Sequence, residues 1–232
     1  MVITIIIPCF NEERTIRECI ENIYKFKLDA HDYEIILVDD ASTDNSVNII
    51  KELINEKKIF KFINKKHNEG KGAAINDALQ FINGEITIIQ DADLEYHPSE
   101  YFKLIQPIIN HRADVVYGSR YMTTDATRVL LFWHGVANRI LTLLSNMVTN
   151  LYLTDMETGY KVFKSIHLKN LKIEEKRFGF EPEVTIKLAK KKLFFYEVGI
   201  AYHGRGYAEG KKIGVKDAFR ALYCLIKYTI KS

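Results

Sequence analysis

Acidic residues gather at three places where the chain leaves a run of β-branched residues. Pro8-Cys9-Phe10-Asn11-Glu12-Glu13 follows residues 2–7, Asp39-Asp40-Ala41-Ser42-Thr43-Asp44 follows residues 33–38, and Asp91-Ala92-Asp93-Leu94-Glu95 follows residues 85–90. Like charges brought to one edge cost energy unless a cation or ligand donors compensate them. Oxygen ligands with no His or Cys among them suit a hard divalent ion, Mg²⁺ or Mn²⁺, which can bridge the phosphates of a nucleotide. Asp91, Asp93 and Glu95 are the candidate metal ligands. An Asp-x-Asp alone is common on any surface; its place directly behind a strand-like run is what points to a metal. Asn68-Glu69-Gly70-Lys71-Gly72-Ala73-Ala74 is a short glycine turn leading into a helical pattern, where backbone N–H groups and Lys71 could meet a phosphate. It is neither a P-loop nor a dinucleotide fingerprint, and a plain turn with a solvated lysine accounts for it equally well.

These side chains need a scaffold that collects strand ends on one edge. The runs over 2–7, 33–38 and 85–90 read as short strands buried on both faces. Helical patterns separate them over 14–26, 46–56 and 72–81, and a fourth strand over 114–118 follows a helix over 100–110 that Pro98 and Ser99 could start. The alternation predicts an α/β fold with a doubly wound, mostly parallel sheet, whose ligands collect outside the carboxyl ends of the strands. Farther on, residues 129–153 and 181–190 carry helical spacing and 194–202 reads as a strand. The last twenty residues read as a basic amphipathic helix, with Ala218, Phe219, Leu222, Leu225, Ile226 and Ile230 opposing its lysines.

A chain of 232 residues fits one globular unit with an appended segment. Cys9, Cys19 and Cys224 match neither a disulfide framework nor a metal spacing, so a reducing compartment is expected. No basic leader with a small-residue cleavage site precedes the first strand, so no signal peptide is read and a cytoplasmic location follows. His134, Asn138, Arg139, Asn146 and Asn150 interrupt the apolar stretch over 129–153, so no membrane-spanning segment is expected. The net charge of +3 is uneven, because residues 203–232 carry seven Lys/Arg against two acidic residues. The basic end is a local feature, and no nucleic-acid partner is read from it.

Taken in order over the first 120 residues, the Pro8 to Glu12 opening, the Asp39-Asp40 turn and Asp91-Ala92-Asp93 resemble the inverting GT-A glycosyltransferases. Gly118-Ser119-Arg120, residues 155–161 and 177–183, and Tyr202-His203-Gly204-Arg205 with Gly210-Lys211-Lys212 are similar to the polyprenyl-phosphate sugar transferases, the dolichyl-phosphate mannosyltransferase-like group. The resemblance implies a GT-A catalytic domain over 1–212, with a nucleotide-sugar half over 1–120 and an acceptor half over 121–212, then a basic helix over 213–232. It implies that Pro8, Phe10, Asn11, Glu12, Asp39 and Asp40 surround the base and ribose, that Lys71 lies near the diphosphate, and that the Asp91-Ala92-Asp93 turn holds donor and metal. Glu95, Lys161 and Glu181 depart from the group, which often has Gln, Arg and Gln there.

The implied activity is a metal-dependent, inverting transfer of a sugar from GDP-mannose or a UDP-sugar to a dolichyl or undecaprenyl phosphate. A phosphate monoester is already anionic near neutral pH, with a second pKa of about 6, so no strong base is required. Asp93, Arg120, Arg205 and Lys212 are the expected catalytic residues. Arg120, Arg205, Lys211 and Lys212 form the expected phosphate clamp, though each could instead be an ordinary surface cation. The stretch over 129–153 and the terminal helix would lie peripherally on the cytoplasmic face of a membrane, or pack as core or a homodimer interface. His203, beside Arg205, could bind phosphate, whereas His67, His97 and His134 read as structural. Two alternatives stay open: a sugar-hydroxyl acceptor with Glu181 or Glu183 as base, and an inactive nucleotide- or membrane-binding module.

Overall fold

Ile3, Ile5, Ile6 and Ile7 are fully buried, and so are Ile35, Ile36, Leu37 and Val38. Apolar on both faces, β1 (Val2–Cys9) and β2 (Asp32–Asp39) pair in parallel as inner strands, and β4 (Ile86–Ile89) joins the other side of β1. The computed structural model describes residues 1–56, 58–122, 128–129, 131–204 and 215–230. Its sheet runs β3-β2-β1-β4-β6-β5-β7, with β3 (Lys61–Asn64), β5 (Val115–Ser119), β6 (Lys161–Lys164) and β7 (Phe195–Gly199). Only β6 runs against its neighbours.

Helices cover both faces, giving the doubly wound, mostly parallel α/β sheet expected. On one side, α1 (Ile16–Lys25), α2 (Ser46–Asn55) and α4 (Tyr101–Ile109) share a core around Ile20, Leu53 and Leu104. On the other, α3 (Lys71–Ala78), α5 (Phe132–Thr149), α6 (Ser165–Lys169), α7 (Phe180–Ala189) and α8 (Val215–Ile230) meet around Ile75, Phe163 and Phe180. Three elements go beyond the sequence reading: β3, a four-residue strand at the sheet edge, the short helix α6, and β6, whose ends are both lysines. The helix expected to reach Phe81 tightens into a 3₁₀ turn at Leu79–Phe81, and the one expected from Glu100 follows a 3₁₀ turn at Pro98–Glu100.

The topology fixes where a ligand can sit. From β1 the chain moves outward to β2 and β3, then returns to the opposite side of β1 for β4, which makes the carboxyl ends of β1 and β4 a switch point. Because β6 is antiparallel and pairs Lys161 with Ile89, the residues before β6 reach the same edge as the residues after β4.

The terminal helix differs from its expected orientation. Ala221, Cys224, Leu225 and Tyr228 are its buried face, whereas Phe219, Ile226 and Ile230, expected on one apolar side with Leu225, are 70%, 57% and 79% exposed. Polar contacts accompany the packing of this face into the core. Glu175, nearly buried, accepts hydrogen bonds from Arg220 Nε at 2.8 Å, Lys227 Nζ at 3.0 Å and Tyr228 Oη at 2.9 Å. Burial alone would raise the pKa of this carboxyl, but the three donors outweigh it and hold it below the ordinary value. Among the described residues no helix is long and apolar enough to cross a membrane.

A carboxyl whose folded pKa is depressed contributes stability above its unfolded pKa, about 4, and loses it as pH falls through the folded value. Glu175→Gln is therefore expected to cost about 1.5–3 kcal/mol near neutral pH, the range for hydrogen bonds to a charged group, and progressively less toward pH 3. Denaturant melts of both proteins across that range measure it; a penalty independent of pH would show that the charge is not what anchors α8.

Candidate active site

A cavity of about 610 Å³ opens over the carboxyl ends of β1, β2 and β4. Pro8 enters its wall from the end of β1, Phe10 and Glu12 from the loop that follows, and Asp40 directly after β2. Asn11 and Asp39 do not line it. Asn11, held at a positive φ of 53°, accepts from Thr43 N at 2.8 Å through Oδ1 and donates its own N–H to Ser42 Oγ at 2.9 Å. Asp39 is wholly buried, with Oδ2 accepting from Ser42 N at 3.0 Å. Asn11 braces the first two loops against each other, and Asp39 holds the start of its own loop, where the resemblance implied contact with base and ribose. Asp40 performs a third bracing task, because its carboxylate accepts from Glu69 N at 3.0 Å and Gly70 N at 2.6 Å and so fixes the turn before α3.

Gly70 has a φ of 103°, and a Cβ there would stand 2.6 Å from Lys176 O, so the turn demands glycine on both counts. It delivers Lys71 into the cavity at the start of α3. Lys71 Nζ lies 2.8 Å from Asp91 Oδ1 and 3.2 Å from Glu181 Oε1. Burial on its own would lower the ammonium pKa; the two carboxylates outweigh burial and raise it well above the ordinary lysine value, so the cation is permanent.

The Asp91 turn is held from below by Gln90. Its Nε2 donates to Asp91 O and Tyr96 O, both at 3.0 Å, while its Oε1 accepts from Tyr101 Oη at 2.9 Å and Tyr160 Oη at 3.1 Å. From the β6 side, Gly159 passes so close that a Cβ would lie 2.3 Å from Asp91 Oδ2. Gly159 N donates to Tyr96 Oη at 3.0 Å. Asp93 Oδ1 accepts from Glu95 N at 3.1 Å, and Glu95 Oε2 accepts from Tyr202 Oη at 2.6 Å.

Whether these residues suit a divalent ion can be judged from the donor set. Asp91, Asp93 and Glu95 are half-buried at the cavity wall, yet among the described residues no three acidic, His or Cys side chains converge as a metal cage. Two carboxylates with an open side are what Mg²⁺ or Mn²⁺ uses when phosphate oxygens complete its shell, so the Asp91 and Asp93 pair fits such an ion. Glu95 lines the same wall and accepts the Tyr202 hydroxyl through one of its two oxygens.

Arg120 reaches the cavity but is not free to act as an open fork. Its Nε and Nη2 donate to the two oxygens of Asp155, each at 2.7 Å, and its guanidinium lies 5.2 Å from the centre of the Tyr202 ring. Asp155 is fully buried and also accepts from Asn138 Nδ2 at 2.8 Å. Burial would raise its pKa, but the guanidinium and the amide outweigh that and lower it, so the pair stays charged. Lys161, wholly buried, donates from Nζ to Met156 O at 2.8 Å and to Thr158 O, which pins the loop that carries Asp155 and Glu157. Neither Asp155 nor Glu157 was assigned a role in the sequence reading, although both lie in the stretch 155–161 that carries part of the resemblance. Arg205, Lys211 and Lys212 lie outside the described residues.

Known proteins resemble this chain in sequence and in fold. The model of "Glycosyl transferase family 2" matches residues 4–165. The UDP-N-acetylglucosamine–dolichyl-phosphate N-acetylglucosaminyltransferase of Methanococcus voltae is 32% identical across 97% of this chain and 95% of its own length. The dolichol-phosphate mannosyltransferase of Pyrococcus furiosus is 24% identical across 98% of this chain and 64% of its own length. Glucosyl-3-phosphoglycerate synthase from Mycobacterium tuberculosis, solved with Mn²⁺, uridine diphosphate and phosphoglyceric acid, superposes with a TM-score of 0.73 at 19% identity, over 99% of this chain and 78% of that one. The fold is therefore the GT-A type.

The tight approach of Gly159 to Asp91 gives a direct test. Gly159→Ala would push the Asp91 carboxylate aside and is expected to lower kcat/KM about 100-fold, the scale of a 1 Å misplacement. Turnover near the wild-type rate in a variant that melts normally would show that the Asp91 position is not critical.

Proposed function

The chain belongs to glycosyl transferase family 2, and on that premise we propose that it moves a hexose or N-acetylhexosamine from a nucleotide sugar to a polyprenyl phosphate, with inversion at the anomeric carbon. The observation that carries the donor half is the Lys71, Asp91 and Asp93 cluster at the switch-point cavity. The full-length similarity to the Methanococcus voltae enzyme supports the lipid-phosphate acceptor and favours a UDP-sugar over GDP-mannose. Residues 1–212 are assigned to catalysis and 213–232 to the basic helix.

Asp91 and Asp93 would hold Mg²⁺ or Mn²⁺, which when bound neutralises charge on the donor diphosphate. Lys71 adds a fixed positive charge at the start of α3, on the same side as the leaving group. An acceptor phosphate oxygen attacks the anomeric carbon, the bond from that carbon to the diphosphate oxygen breaks, and the nucleoside diphosphate leaves with the electron pair. The attacking oxygen is already anionic, so the chain's contribution is position and electrostatics. Arg120 is set in place by Asp155 before any acceptor arrives, and Arg205 and Lys212 are proposed to complete the phosphate clamp.

A second cavity of about 310 Å³ adjoins the first and shares Arg120, Tyr121, Leu131 and Tyr202 with it; Arg128, Arg139 and Phe132 also line it. Nearby, Phe132, Trp133, Leu143 and Met147 of α5 are strongly exposed, as are Phe219 and Ile226 of α8. Guanidinium groups next to exposed apolar side chains suit a phosphate carried on a lipid, with α5 and α8 resting on the cytoplasmic face of a membrane.

Incubation with radiolabelled UDP-N-acetylglucosamine, UDP-glucose or GDP-mannose and undecaprenyl or dolichyl phosphate is expected to put label into the organic phase. Label confined to water-soluble glycan would favour a hydroxyl acceptor and sink the lipid assignment. Asp93→Ala is expected to abolish turnover, and so is excess chelator; undiminished activity in chelator would refute the metal.

A further inference from the structure

Two carboxylates in the cavity wall have no task in the scheme above. Glu181, on the first turn of α7 and 3% exposed, gives Oε1 to Lys71 and leaves Oε2 sealed from solvent without a hydrogen-bond partner. Glu157, on the loop before β6, leaves Oε1 in the same condition, and both side chains line the 610 Å³ cavity. A buried acceptor with no donor costs about 1–3 kcal/mol, so such atoms generally await a ligand or water. Among the described residues the cations around them are already engaged: Lys71 by Asp91 and Glu181, Lys161 by two carbonyls, Arg120 by Asp155, and Arg177 by Asn68 Oδ1 at 3.1 Å. Burial, with the charge of Glu181 added to it, raises the pKa of Glu157, which marks the corner as one hostile to further negative charge.

The position narrows the ligand. Glu181 touches the lysine proposed to face the diphosphate, and Gly159, two residues on from Glu157, abuts Asp91. The group bonded directly to a nucleotide sugar's diphosphate is the sugar ring, whose hydroxyl and amide groups can donate hydrogen bonds to carboxylate oxygens. We infer that Glu157 and Glu181 read the donor sugar, accepting hydrogen bonds from a neutral hexose or N-acetylhexosamine and rejecting a hexuronate, whose carboxylate would meet two acidic side chains and, among the described residues, no cation that is not already paired. This inference rests on the donor-site reading proposed above.

Titration calorimetry with Mn²⁺ present separates the two. The probes are UDP-N-acetylglucosamine, UDP-glucose, UDP-glucuronate and UDP, with GDP-mannose and GDP as a second series. In the wild type, UDP-glucuronate is expected to bind at least about tenfold more weakly than the better neutral UDP-sugar, the factor that one unfavourable charged contact supplies. Glu157→Ala is expected to weaken the neutral sugar nucleotides about tenfold while leaving UDP unchanged, so that UDP itself reports an intact fold and phosphate site. Glu157→Gln, which keeps one acceptor oxygen and, like the protonated acid, carries no charge, is expected to retain most neutral-sugar affinity. Equal losses for UDP and its sugars, no loss at all, or wild-type binding of UDP-glucuronate as tight as that of the neutral sugars would each overturn the inference. A wild type that binds no nucleotide of either series would instead overturn the donor site itself, and the sugar reading with it.

Discussion

The ion pair between Lys71 and Asp91 joins two parts of the chain that the sheet would otherwise leave as separate loops, and most of the site is arranged to keep it in place. Lys71 is presented by a turn that only glycine can make and that Asp40 ties to β2. Asp91 is presented by a turn that Gln90 holds from beneath. Glu181 closes the pair from α7, and Gly159 leaves just enough room on the last side. Among the described residues eight carboxylates line this cavity, those of Asp91, Asp93, Glu157 and Glu181 included, against three cations, Lys71, Arg120 and Arg177, and Lys71 touches two of the eight. That imbalance gives a reason for a divalent ion and a hydroxyl-rich ligand to be drawn to the same place.

The strand ends were legible in the sequence because inner strands of a parallel sheet are apolar on both faces and stop abruptly at polar loops. Ile3 to Ile7 and Ile86 to Ile89 announce themselves in this way, and the acidic clusters that follow are then forced to one edge. Other features left no such mark. Lys161 begins a strand and is fully buried, against the usual preference of lysine, because its ammonium is satisfied by carbonyls of its own loop and lies 4.2 Å from the centre of the Tyr117 ring. The four residues of β3 are too few to show a period.

Site residues divide along the same line. Lys71, Asp91 and Asp93 are placed by local turns that a sequence can reveal. Asn11 and Asp39 stand beside cavity residues in the chain, but Asn11 gives its side chain to the neighbouring loop and Asp39 to its own, which depends on a positive φ and on burial that no pattern of residue types encodes. Arg120 meets Asp155 across 35 positions, a pairing visible only once β5 and β6 lie side by side. The terminal helix shows the same limit, since Glu175, which accepts hydrogen bonds from Arg220 and Tyr228 of α8, is distant in sequence.

The reversed direction of β6 also divides the labour of the site between separate stretches of chain. The turns after β1, β2 and β4, with the start of α3, make up the side of the cavity proposed to take the nucleotide diphosphate. The loop ahead of β6 reaches the same cavity from the other direction, anchored at its base by Lys161 and independent of the first two strands. On the proposed donor site, a substitution at Glu157 would alter the sugar contacts from a segment that Asp40, Lys71 and Gln90 do not depend on, whereas Gly159, two residues further on, ties that same segment to Asp91.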